Sequence, residues 1–304
     1  MSNVNDCAIR TTGLTKFYGS TRGIEGVDLA VERGEIFGFL GPNGAGKTTF
    51  IRLLLQLMRP TSGETFIFGE RREVSSQQPV RDIGYLPGEF GLYPDLTGTV
   101  HLRHLMKLRG IDPDAVFARN QQRLFERFPL DLERKVGGYS KGMKQLIGIL
   151  QACLPETPLL ILDEPTSGLD PLMREAFFSL LREERDAGRT VFLSSHNLTE
   201  VDRICDRVGI IKEGKLSMVE PIERHRSAVG RKIRVVPTEY PESCAETLAR
   251  LSGVEHLRVD SNGVDFLYKG NMQELVAILA NLEIQDLSSE SPSLDDFFLQ
   301  YYED

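Results

Sequence analysis

The sequence predicts a mostly parallel α/β core interrupted by a helical block and followed by a smaller α+β unit. Three observations carry this. Short apolar runs of strand length alternate with amphipathic helical stretches on both sides of a helix-rich block. A glycine-rich turn, Gly41-Pro42-Asn43-Gly44-Ala45-Gly46-Lys47-Thr48, joins one such run to one such helix. Beyond about residue 220 the pattern changes to short alternating strands separated by short helices.

Residues 27–31 and 36–40 are apolar runs, and the second is continuous enough for a strand buried on both faces. Helix-forming residues follow from Thr49, and Pro60 disfavours helix at the residue before it, so this helix is expected to stop near Met58. Thr61-Ser62-Gly63 reads as a turn into a strand at 65–68. From about residue 96 to 153 the pattern is helical, with segments at 100–108, 115–128 and 141–153. Strands at 159–162, 190–193 and 208–211 then enclose helices at 171–186 and 198–205. That order implies β-α units, with the helical block inserted into them. The first domain is therefore expected to span 1–220, with a helical subdomain at about 96–153, and the second 221–304.

In the second domain Lys232-Ile233-Arg234-Val235-Val236 alternates like a half-buried strand, and 243–251 reads as a helix. Residues 254–259 and 264–268 flank Ser261-Asn262-Gly263, where Asn-Gly is a hairpin cue. A helix at 272–282 and a strand at 284–287 complete the order β-α-β-β-α-β, which suggests a ferredoxin-like unit. Pro292 and Ser293 introduce a last helix with Leu294, Phe297, Phe298 and Tyr301 on one stripe. This stripe is expected to cover its own chain or, across a dimer, a second copy.

The 304 residues are 40% hydrophobic, enough for one sizeable core and a smaller second one. Net charge is −8, and Lys and Arg are scattered rather than striped, which argues against nucleic acid as a partner. Cys7, Cys153, Cys205 and Cys244 are widely spaced, so neither a disulfide framework nor a zinc site is indicated. Asn3, Asn5 and Asp6 stand where a secretory signal needs an apolar core. No window approaches the about 20 apolar residues of a membrane span. Any membrane role is expected to run through a partner chain.

The turn at 41–48 fills every slot of the phosphate-loop pattern, between a strand and a helix as the pattern requires. Gly41, Gly44 and Gly46 let backbone N–H groups turn inward around an anion, and the helix that opens near Thr49 adds its positive end. Lys47 can reach the β- and γ-phosphates, and the Thr48 hydroxyl can bind Mg²⁺. These residues imply binding of a nucleoside triphosphate. Leu159-Leu160-Ile161-Leu162 then delivers Asp163 and Glu164 to a strand end. Asp163 fits a metal-associated carboxylate, and Glu164 fits the general base that polarises an attacking water.

The next residues, Pro165-Thr166-Ser167-Gly168-Leu169-Asp170-Pro171, continue from the two acids. With them the chain resembles the ATP-binding-cassette (ABC) ATPases over about residues 8 to 220. The resemblance implies a phosphate-loop cassette with an antiparallel β portion beside the parallel sheet and an inserted helical subdomain. ATP and Mg²⁺ are the ligands it implies, and Ser167, Gly168, Leu169 and Asp170 communicate between two subunits. His196, which ends a strand, would contact the γ-phosphate and hold the attacking water. Ser140, Lys141, Gly142 and Met143 stand where the family's signature lies, though only Ser140 and Gly142 match it. In the family this element meets the ATP of the opposite subunit. Tyr18 matches the aromatic that stacks on adenine, with a buried core tyrosine as the alternative.

One position departs. Where the family has a glutamine that touches Mg²⁺, this chain has Gly88 followed by Glu89. Either Glu89 substitutes after a one-residue shift, or the metal is held without it. The loop at 92–98 and the appended C-terminal block look like the ATPase subunits of bacterial drug, antibiotic and lipid-type exporters. The implied partners are a second nucleotide-binding subunit, expected to be an identical copy, and membrane permease subunits in separate chains. The implied location is peripheral, at the cytoplasmic face of the membrane. The alternative is a soluble ATPase of the same superfamily acting on ribosomes or DNA.

Overall fold

The computed structural model describes residues 7–73, 81–223, 230–238 and 240–290. The helix expected beyond Pro292 lies outside them. The chain divides into two compact units, Met1–Glu220 and Pro221–Asp304.

The first unit holds two sheets. β1 (Cys7–Tyr18), β2 (Thr21–Glu32), β4 (Ser62–Ile67) and β5 (Glu70–Arg71) form an antiparallel sheet in the order β2-β1-β4-β5. The second sheet has the order β10-β9-β3-β8-β7-β6. Its members are β3 (Ile36–Leu40), β6 (Ile83–Leu86), β7 (Leu159–Asp163), β8 (Thr190–Ser195), β9 (Arg207–Lys212) and β10 (Lys215–Pro221). The pairs from β9 through β6 are parallel. β3, β7 and β8 are buried throughout, which is why their sequences read as continuous rather than alternating. Phe39 of β3 stacks on Phe50 at 4.8 Å between ring centroids, and Phe192 of β8 packs against both. This aromatic cluster fixes the helix that follows the glycine-rich turn, α1 (Lys47–Leu54), against the strand ends.

α1 stops earlier than Pro60 alone requires. Gln56 adopts φ +58°, and its N–H donates to Leu53 O at 3.1 Å while Leu57 N–H donates to Arg52 O at 2.9 Å. That pair of bonds is a Schellman cap with Gln at the left-handed position. The helical block contains α2 (Gly98–Leu108), α3 (Pro113–Arg119) and α4 (Lys141–Cys153). The single helix expected at 115–128 is broken after Arg119 by a π turn over Gln121–Phe125. Leu124 and Phe125 both donate to Asn120 O. The buried Asn120 side chain donates to Val116 O and Glu156, a tertiary tie that periodicity does not carry. α5 (Pro171–Asp186) and α6 (Leu198–Ile204) follow β7 and β8.

β6 lies close under α4. A Cβ built on Gly84 would sit 2.2 Å from Ala152 O and 2.7 Å from Leu160 Cδ2. Gly84→Ala is therefore expected to destabilise the chain by about 3 kcal/mol, the upper range for overpacking. A thermal midpoint within a degree of the parent's would contradict that close approach.

The second unit runs β11 (Arg231–Pro237), α7 (Pro241–Ala249), β12 (Val254–Asp260), β13 (Gly263–Tyr268), α8 (Met272–Leu279) and β14 (Ile284–Glu290). Its antiparallel sheet has the order β12-β13-β11-β14, the arrangement of a split β-α-β unit. Ile233, Val235, Val264, Phe266 and Tyr268 pack against Leu248 and Leu275 of the two helices. In the hairpin Asp260 pairs with Gly263, so the turn residues are Ser261 and Asn262, neither at positive φ. The Asp260 carboxylate accepts the Asn262 N–H at 2.8 Å, and this Asx turn replaces the Asn-Gly turn expected there. Among the described residues, no helix is long and apolar enough to cross a membrane.

Candidate active site

β3 delivers the chain to the turn at Gly41, whose N–H donates to Ser195 O at 3.3 Å. A Cβ at Gly41 would stand 2.4 Å from Ile211 O, so only glycine allows the turn to lie this close to β9. Gly44 and Gly46 take φ +83° and +107°, left-handed values that favour residues without a Cβ. α1 begins at Lys47, so its free N–H groups and positive end face the turn. Lys47 is 6% exposed. Its ammonium donates to Gly41 O at 2.6 Å and Pro42 O at 3.2 Å, and stands 3.3 Å from Glu164 Oε1.

β7 and β8 supply the acids and the histidine. Asp163 is buried; its Oδ2 accepts the Thr48 hydroxyl at 2.9 Å and its Oδ1 accepts the Ser194 hydroxyl. Glu164 follows at φ +49°, a strained value that costs on the order of 1 kcal/mol. Its N–H is held by Ser194 O at 3.2 Å and Ser194 Oγ at 3.1 Å. Gln145 of α4 donates to Pro165 O at 2.8 Å and so fixes the exit of the strand. His196 Nδ1 lies 2.8 Å from Glu164 Oε2. Glu164 Oε1 is buried without a hydrogen bond, although Lys47 is near. The Lys47 contact is one of charge, not a directed bond. An unsatisfied carboxylate oxygen beside an anion cradle can accept a proton from water.

Two adjoining cavities meet at these residues. The first, about 360 Å³, is lined by Tyr18, Arg22, Pro42, Asn43, Gly44, Gly46, Lys47, Thr48 and Thr49, with Asp163 and Glu164. Ala45 is buried beneath it. Tyr18 is 47% exposed and therefore not a core tyrosine. Its hydroxyl lies 3.3 Å from Thr49 Oγ, and Gly23 packs so closely that a Cβ there would meet the ring at 2.8 Å. The second cavity, about 380 Å³, is lined by Asn43, Thr48, Arg52, Gly88, Glu89, Asp163, Glu164, Ser167 and His196. A hydroxyl and carboxylate oxygens at this junction are the hard donors that suit Mg²⁺, and the orphaned Glu164 oxygen marks room for a further polar group.

Ser140, Lys141, Gly142 and Met143 line neither cavity. Ser140 caps α4 by accepting Met143 N–H at 3.2 Å. Lys141 and Gly142 lie against Gly168, and Asp170 caps α5 through Met173 N–H at 2.9 Å. Leu169 is buried. Sequence reasoning missed Arg22, Arg52, Ser194 and Gln145. Only Arg52 left a signal, since it falls one helical turn after Thr48.

The parallel sheet, the glycine turn at a helix start and the acids at the end of β7, one strand removed from β3, define a phosphate-loop ATPase. The family described as "ABC transporter" matches residues 24–167. The bacitracin transport ATP-binding protein BcrA of Bacillus licheniformis is 36% identical over 303 residues, 96% of each chain. The daunorubicin/doxorubicin resistance ATP-binding protein DrrA of Streptomyces peucetius is 34% identical, over 96% of this chain and 91% of that one. A solved structure of the ATP-binding subunit of an ABC transporter superposes with TM-score 0.67 at 33% identity, over 73% of this chain and 92% of that chain. The chain belongs to the ABC transporter family, as an ATP-binding, ATP-hydrolysing subunit.

Proposed function

We propose that this subunit powers export of a drug, antibiotic or lipid-like substrate through separate membrane subunits. The observation that carries the reading is likeness along nearly the whole chain, second unit included, to relatives named for bacitracin transport and daunorubicin/doxorubicin resistance. The alternative, an ATPase working on ribosomes or DNA, is disfavoured by the net charge of −8. The chain works at the cytoplasmic face of the membrane, held there by its permease partners.

ATP lies with its triphosphate on the N–H groups of residues 43–49 and its adenine against Tyr18. Thr48 and Asp163 would hold Mg²⁺, which would neutralise phosphate charge there. Water attacks the γ-phosphorus directly, and the bond from that phosphorus to the β–γ bridging oxygen breaks, so that ADP leaves. Glu164 Oε1 takes the proton of that water, and His196 fixes the carboxylate from its other oxygen. Lys47 leaves the loop carbonyls it holds in this structure and meets the charge that develops on the γ-phosphate. Ser140 and Gly142 lie outside their own chain's cavity, so a second copy must bring them to the phosphate. Gly168 lies against Gly142, and the stretch of Ser167, Gly168, Leu169 and Asp170 links the two sites.

Tyr18→Ala is expected to raise the KM for ATP about tenfold, since base stacking is worth about 1–3 kcal/mol. Tyr18→Phe keeps the ring and should change it little. Equal effects of the two substitutions would remove Tyr18 from the adenine site. For export, the tagged chain is purified from detergent-solubilised membranes. A polypeptide with several apolar spans is expected to accompany it; ribosomal proteins or DNA in its place would overturn the reading.

A further inference from the structure

Thr48 and Arg52 stand one turn apart on α1, so their side chains leave the same face of the helix. Both line the cavity that Asp163, Glu164 and Glu89 share. The other charges of that wall are engaged. Asp163 is held by Thr48 and Ser194, and Glu164 by Lys47 and His196. Arg52 and Glu89 remain, and neither side chain forms a hydrogen bond or ion pair among the described residues.

Gly88 explains why Glu89 meets this wall. A Cβ at Gly88 would stand 3.3 Å from Asp163 Oδ2, so the backbone there already presses on the metal-side carboxylate. The first side chain beyond it is an acid. Burial first, then the Asp163 carboxylate, push the Tyr85 hydroxyl up to about 12, and the Arg52 guanidinium opposes them. Both charges are thus felt at one ring on the strand that leads to Gly88. A third carboxylate close to Asp163 and Glu164 repels an incoming triphosphate unless a cation offsets it.

We propose that Arg52 is a positioning residue for nucleotide binding, pairing with Glu89 as ATP·Mg²⁺ fills the cavity, so that this acid stands beside the triphosphate without repelling it. The proposal rests on the ATPase reading of the site. It makes the effect of losing Arg52 conditional on Glu89, which neither a purely structural role nor a direct Arg52–phosphate contact does.

The test is a double-mutant cycle of Arg52→Gln and Glu89→Gln, read by equilibrium titration with a fluorescent ATP analogue and Mg²⁺, with no turnover required. Both side chains are exposed, and thermal midpoints check that all four proteins fold alike. Arg52→Gln alone is expected to weaken binding about tenfold, and less than about twofold when Glu89→Gln is present, a coupling within the range for neighbouring charges. Arg52→Lys keeps the charge and is expected to restore most of the affinity. Equal losses in the two backgrounds, or no loss in either, would overturn the proposal. The ATPase reading fails separately: Glu164→Gln turning over at the parent rate would remove it whatever the cycle gives.

Discussion

Glu164→Gln is expected to lower ATP turnover by about 10³-fold, within the range for a lost general base. ATP binding should survive. The amide has the shape of the carboxylate and can keep the 2.8 Å contact to His196. It has no charge to repel the γ-phosphate and no basicity to take a proton from water. The variant should therefore bind ATP at least as tightly as the parent and accumulate as an ATP-bound dimer, seen by sedimentation with ATP but not with ADP. Steady-state phosphate release checks the first outcome. Turnover near the parent rate would mean that the proton goes elsewhere, and Glu164 would lose its role as base.

Lys47→Ala should fail at the earlier step. The Lys47 ammonium is buried against two loop carbonyls and Glu164, poised to exchange them for phosphate oxygens. Removing it deletes a hydrogen bond to a charged group, worth about 1.5–3 kcal/mol, so ATP affinity should fall roughly a hundredfold. Pro42 lines the cavity, where water can reach the freed loop, so the fold should persist. Titration with a fluorescent nucleotide separates the two variants. Unchanged affinity in Lys47→Ala, with turnover lost, would place the lysine in the chemical step alone.

The parts of this molecule that depend on short-range order were legible in the sequence. The glycine turn at 41–48 and the strand ending in Asp163 and Glu164 are local patterns, and β3 and α5 match the spans that periodicity predicts. Most of what escaped depends on partners distant in the chain. The break at Asn120 is tied to Glu156; the early end of α1 is local, but a left-handed Gln56 has no residue-type cue. Ser194 could not be read as a partner of Asp163, because only the parallel pairing of β7 with β8 sets Asp163 beside it. Arg52 and Glu89 lie far apart in sequence and share a wall only because β6 pairs with β7. Gly88 read as a missing ligand; in the structure a Cβ there would stand 3.3 Å from Asp163 Oδ2.

The most direct measurement is a crystal structure of the Glu164→Gln chain with ATP and Mg²⁺. The account predicts the triphosphate on the N–H groups of residues 43–49, the metal at Thr48 and Asp163, and the γ-phosphate facing position 164 and His196. It also predicts Ser140 and Gly142 of a second copy against the same phosphate. A γ-phosphate remote from position 164, or a nucleotide closed over by residues 140–143 of its own chain, would contradict it.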